Sequence, residues 1–251
     1  MQIIVKKNKK LAFERFLNSI KFQKAYPSHL EDFDILKSLI EDAAKLINLK
    51  PKNFNLKQQK IYKEIITQFG KFWKKYQEDL NLIFWVLKSV KKEVWIWLEK
   101  QIKLETKIEW PYSKIYLFPG IRNWGAIRKN KICIGVKPSI LLERTDNSEL
   151  WHLIIHELIH ANIDKKEFKE IKYKIDAEEI AITLLTRNIT KKLKKKFGFE
   201  ISNQKLATPF RHLEKYEDNF KKIFIYSKSF EELIKKIDIF LKSINHKEYY
   251  E

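Results

Sequence analysis

From Leu11 to about Lys103, apolar residues recur at intervals of three and four, the period of a helix that buries one face. The stretch "HLEDFDILKSLIEDAAKLINL" puts Leu30, Phe33, Leu36, Leu39, Ile40, Ala43 and Leu46 on one stripe, and "PKNF" at 51–54 ends it. Two further helices are predicted, over 56–78 and 80–104, and the tryptophans of "VWIWLEK" at 94–100 read as a packing face within the second. The period changes at 109–138, where Pro111, Pro119, Gly120, Gly125, Gly135 and Pro138 punctuate short β-prone runs. There "KIYLF" and "KICIGV" read as strands, and "RKNK" reads as a tight hairpin turn. Helical spacing then resumes. Asp146, with Glu149 three residues on, forms a capping-box pattern that opens a helix over 147–162. A longer helix over 166–197 runs through a lysine-rich last turn to a glycine stop at Gly198, and the tail over 205–245 holds two more helices divided near Ser227–Ser229. The expected class is α+β and predominantly helical. It has a helical N-terminal region over 1–108, then a core over 109–251 with a small antiparallel or mixed sheet, a central helix and C-terminal helices.

Composition narrows this picture. With 44% hydrophobic and 14% aromatic residues over 251 positions, the chain can bury a sizeable core. The start, "MQIIVKKNKKLAFERF", lacks the apolar stretch of a secretory leader, and the longest nearly unbroken apolar run, "LNLIFWVL", is far short of a membrane span. A soluble, cytoplasmic protein is expected. The lone Cys133 excludes an internal disulfide and any multi-cysteine zinc site, and it reads as core packing. Any bound metal must therefore be held by imidazole and carboxylate. The net charge of +19 suggests a polyanion partner, but it is built from 45 lysines against six arginines. Phosphate and base recognition favours the arginine fork, so nucleic acid stands as a possible partner rather than a required one.

The apolar run "WHLIIHELIHAN" at 151–162 carries the chemistry. Polar groups inside such a helix cost a few kcal/mol each unless something satisfies them. His156, Glu157 and His160 form an H-E-x-x-H sequence. Residues four apart lie one helical turn apart on one face, so both imidazoles can grip one zinc ion. Glu157, off that line, is placed to act as general base on a metal-activated water. A catalytic zinc needs a third protein ligand. Between His160 and His212 there is no further histidine, so the candidates are the carboxylates of "DAEEIAITLL": Glu178 first, with Ala181 leaving room for close helix approach, then Glu179, then Asp176. His152, one turn before His156, is read as filling a polar pocket or contacting substrate. For a donor to the developing oxyanion, Tyr173, Arg211, His212 and Tyr216 are available, with His212 and Tyr216 preferred.

On these residues, the segment from about 114 to 190 resembles the zincin metallopeptidase core, in particular the gluzincin type with its "HELIH" helix and a glutamate on the next helix. The resemblance implies a strand beside the active-site helix, for which "KICIGV" is the candidate, and an extended peptide lying along it. The expectation is a zinc metallopeptidase with Zn²⁺ held by His156, His160 and Glu178, Glu157 as base, and a peptide or protein substrate. The alternative is a basic helical nucleic-acid-binding or regulatory protein whose zinc site is structural or vestigial.

Overall fold

The computed structural model describes residues 2–13, 53–121, 125–128, 130–136, 148–169, 171–199 and 208–247. Its sheet has four strands: β1 (Gln2–Val5), β2 (Lys114–Ile121), β3 (Gly125–Arg128) and β4 (Lys131–Val136), in the spatial order β1-β2-β4-β3. The predicted hairpin is the antiparallel β3–β4 pair, which closes at Arg128 opposite Lys131. The other two pairings, β1–β2 and β2–β4, are parallel. The sheet is therefore mixed, one of the two expected alternatives, and two of its three pairings are parallel where an antiparallel character was also expected. β1 was not anticipated at all. A four-residue "QIIV" pairs with residues more than a hundred positions away, Ile3 opposite Ile115 and Val5 opposite Leu117, and no local pattern signals such a contact. Pairing with β1 stops at Leu117. Pro119, which has no N–H to give, therefore sits where, among the described residues, β2 has a neighbour only in β4.

Besides helical residues 9–13, seven helices are described: α1 (Leu56–Lys75), α2 (Gln77–Ser89), α3 (Lys92–Thr106), α4 (Ser148–Ile163), α5 (Lys174–Phe197), α6 (Glu217–Ile225) and α7 (Phe230–Ser243), with a 3-10 segment over Thr208–Tyr216 before α6. The single helix expected over 80–104 is broken, because Val90 takes an extended conformation and ends α2. The helix expected from 166 starts only at Lys174. Gly198 ends α5 as predicted, at φ 73°, its N–H bonded to the Lys194 carbonyl. Ser229 caps α7, accepting from the Glu232 N–H. The stripe from Leu30 to Leu46 and the Asp146 cap lie outside the described residues, as does the Cys133 side chain.

One core runs through both predicted regions. Ile83, Leu87, Val94 and Leu98 of the N-terminal helices join Ile115 and Ile132 of the sheet and the buried faces of α4 and α5. The division at 108 therefore does not separate two cores. Trp95 packs on Trp151 and Trp97 on Phe197, so the tryptophan face of α3 does meet other elements. In α4, Trp151, Ile154, Ile155, Leu158, Ile159 and Ile163 are buried, each worth about 1.5–3 kcal/mol. α4 is thereby fixed between the sheet and α5, packing against β3 and β4. No described helix is long and apolar enough to cross a membrane.

Asn162, at the end of the motif helix, is buried and bridges to α3. Its Oδ1 lies 2.7 Å from the Thr106 hydroxyl, and its Nδ2 donates to the Ile108 carbonyl at 3.1 Å. These bonds tie the C-terminal end of α4 to the end of α3. Asn162→Ala leaves the Ile108 carbonyl without this donor, and a loss of about 1–3 kcal/mol is expected in denaturant unfolding.

Candidate metal centre

α4 is apolar on nearly every side, yet one seam facing α5 is polar. His156 and His160 lie a turn apart on it, 17% and 18% exposed, with their Nε2 atoms 3.2 Å from each other. Across the seam, Glu179 sets one carboxylate oxygen 3.3 Å from His156 Nε2 and the other 3.2 Å from His160 Nε2. A tetrahedral zinc with bonds of about 2.0–2.1 Å has ligand-to-ligand edges of about 3.3–3.4 Å. The three groups are therefore spaced as ligands of one ion, and among the described residues they form the one such group, their ligating atoms all within 4.8 Å of one another.

Glu179, the second choice from sequence, is the carboxylate that stands with the two histidines in a group that could hold a metal ion, and Glu178 is not. Along α5 the buried polar residues Asp176, Thr183, Thr186 and Thr190 share a stripe with Glu179, three or four residues apart, and this stripe turns inward. Glu178 is rotated by one residue. Its nearest oxygen is 3.9 Å from His160 Nδ1, the nitrogen that points away from the convergence, and that is too long for a hydrogen bond. Burial raises the Glu178 carboxyl above its ordinary range. Asp176 is committed elsewhere, with Oδ2 2.7 Å from His246 Nε2.

The electrostatics follow from this packing. Burial opposes charge on His160, but the carboxylate of Glu179, with help from Glu157 and Glu178, more than offsets it and raises the imidazole to about 9. Burial likewise opposes charge on Glu179, and His160 and His156 reverse the effect, holding the carboxyl well below its ordinary value. In the metal-free protein, the His160 contribution to stability is fully present below its ordinary 6.5 and is lost as pH rises through about 9. The Glu179 contribution is present above its ordinary 4.5 and is lost as the pH falls. The melting temperature of zinc-free protein should therefore fall between pH 6.5 and 9, as a pH series of thermal melts would show. Zinc affinity should rise over the same interval, because a ligating imidazole must give up its proton.

Glu157 is 6% exposed and close enough to His160 to act on its charge. His152 lies outside the three-ligand group. Burial, then the charges of His156 and Arg187, lower it to about 3, so its ring is neutral. Arg187, absent from the sequence reading, is eight residues after Glu179, as His152 is eight before His160. That matched spacing, two turns on each of two antiparallel helices, is the signal that could have found it. The two proposed oxyanion donors make contacts with the C-terminal segment instead: His212 stacks on His246 at 5.5 Å, and Tyr216 packs edge-on against Phe240 at 5.4 Å. Tyr173 is buried edge-on to His246, and the Arg211 side chain lies outside the described residues.

"KICIGV" is β4, an inner strand flanked by β2 and β3, so it has no free edge for an added peptide; among the described residues the sheet edge on the side of α4 is β3. Compared with known proteins, the chain matches no family model, no curated protein and no solved structure.

Proposed function

We propose that this chain is a zinc-dependent hydrolase, a metallopeptidase of zincin-like, gluzincin type acting on a peptide or protein in the cytoplasm. The observation that supports it is the convergence of His156 Nε2, His160 Nε2 and the Glu179 carboxylate at about the edge length of a tetrahedral zinc shell. The donor set suits the metal, since two imidazoles and a carboxylate leave a fourth position open, as hydrolytic sites require and structural sites do not. Partial exposure of all three groups is consistent with access for water and substrate. The chemistry that zinc supplies when bound is Lewis acidity, which activates water and polarises a carbonyl.

The residues do the rest. His156 and His160 hold position through the buried apolar face of α4, and Glu179 completes the grip from α5. Glu157 receives the proton of the attacking water and returns it to the leaving amine. An extended peptide is held along the edge of β3, beside α4, by main-chain hydrogen bonds. The lysine-rich composition favours acidic substrates or recruitment to nucleic acid, and a structural zinc in a nucleic-acid-binding protein is the second reading. A closed four-ligand shell and steeply salt-dependent DNA binding would favour that one. The deciding experiment is metal analysis of purified protein followed by cleavage of a generic peptide library with and without chelator. One zinc per chain and chelator-sensitive cleavage would support the hydrolase. Metal-free protein that refuses micromolar zinc would end it.

A further inference from the structure

α5 must present Glu179 accurately, yet the start of this helix has no cap of its own. Tyr173 occupies the N-cap position without any side-chain capping bond. Helix ends without such partners leave unsatisfied N–H groups and fray. What holds the first turn comes from the other end of the chain. Asp238 of α7 accepts from the Tyr173 N–H at 2.7 Å, and His246, just beyond α7, sets Nε2 2.7 Å from Asp176 Oδ2. Both side chains of the latter pair are almost fully buried, at 2% and 0% exposure. His246 is itself positioned by a tight turn, with Asn245 at φ 51° and the His246 N–H bonded to the Leu241 carbonyl. His212 stacks on one face of its ring, and Tyr173 meets it edge-on.

Asp176 precedes Glu179 by three residues, so the two share one flank of the first turns of α5. We propose that His246 is a positioning residue for the metal site: through Asp176 it clamps the helix end that carries Glu179, making the C-terminal turn part of the zinc-binding apparatus. The inference rests on the zinc reading above and adds to it. A ligand whose backbone frays must be ordered at the moment of binding, and that ordering lowers affinity. Holding the helix beforehand removes the cost, as outer partners do for metal ligands generally. The coupling is reciprocal: if the clamp favours zinc, zinc must favour the clamp.

The test uses zinc alone as probe, with affinity measured by competition against a chelator in full-length protein. His246→Ala should weaken zinc binding by roughly 10–100-fold, while His246→Gln, which keeps an N–H donor towards Asp176, should recover most of the loss. Ile65→Ala, a buried position on α1, serves as a control for general destabilisation and should keep wild-type zinc affinity. In the wild type, zinc should slow amide exchange across 241–246, a measurement that decides the matter even where His246→Ala does not fold. Equal affinity in wild type and His246→Ala, an equal loss in Ile65→Ala, or zinc-independent exchange across 241–246 would each overturn the clamp while leaving the zinc site standing. A wild type that binds no zinc would overturn both.

Discussion

Glu157→Gln is expected to keep one zinc per chain and to lose peptide hydrolysis by about 10²–10⁴-fold in kcat, the usual worth of a positioned general base. The substitution conserves shape in a site where the side chain is only 6% exposed, so no cavity opens in α4. Its electrostatic effect also runs in the metal's favour. Glu157 is one of the carboxylates that raise His160 to about 9, and removing its charge makes the imidazole easier to deprotonate and hence easier to metallate. Loss of activity together with loss of zinc would therefore point to misfolding rather than chemistry. Single-turnover cleavage of a fluorogenic peptide, read beside the metal content of the same sample, separates these outcomes. Undiminished kcat in the zinc-loaded variant would remove Glu157 from the mechanism.

The contrast between the two histidines and the third ligand explains what the chain discloses by itself. His156 and His160 belong to one helix, and the helical period alone puts them on one face, so their pairing needed no tertiary information. Which carboxylate completes the proposed zinc shell depends on how α5 rotates against α4. Glu178 and Glu179 differ by a single residue step, about 100° of rotation, and the inward choice is a property of the packing. A signal was nonetheless present. Counting from Glu179, the residues one, two and three turns on are Thr183, Thr186 and Thr190, polar positions embedded in "IAITLLTRNIT", whereas Ala181 and Ile182 follow Glu178. A stripe of threonines continuing a carboxylate's flank marks a polar seam between helices, and it favours Glu179. β1 and the parallel pairing had no comparable signal, because strand partners so distant in sequence leave no periodic trace. The interruption at Val90 was hidden for a different reason: it contains neither glycine nor proline, and the chain breaks there through an ordinary extended residue.

Removing the proposed histidine and carboxylate ligands separately gives the sharpest test of that seam. His156→Ala with His160→Ala should abolish zinc binding, and Glu179→Ala should weaken it by more than the roughly 10–100-fold that an outer partner is worth. Glu178→Ala should cost far less, since its carboxylate stands 3.9 Å from the nitrogen of His160 that turns away from the other ligands. The two glutamates are neighbours of similar exposure, 23% and 24%, so differences in general surface chemistry cancel between them. Thermal melts give a second readout. A ligand that binds only the folded state at about 1,000 times its Kd adds about 4 kcal/mol, or roughly 8–16 °C for a chain of this size. Wild type and Glu178→Ala should show that zinc-dependent rise, and Glu179→Ala and the double histidine variant should not. If Glu178→Ala instead loses the shift while Glu179→Ala keeps it, the two helices pack with the other carboxylate inward, and the zinc shell must be rebuilt around Glu178.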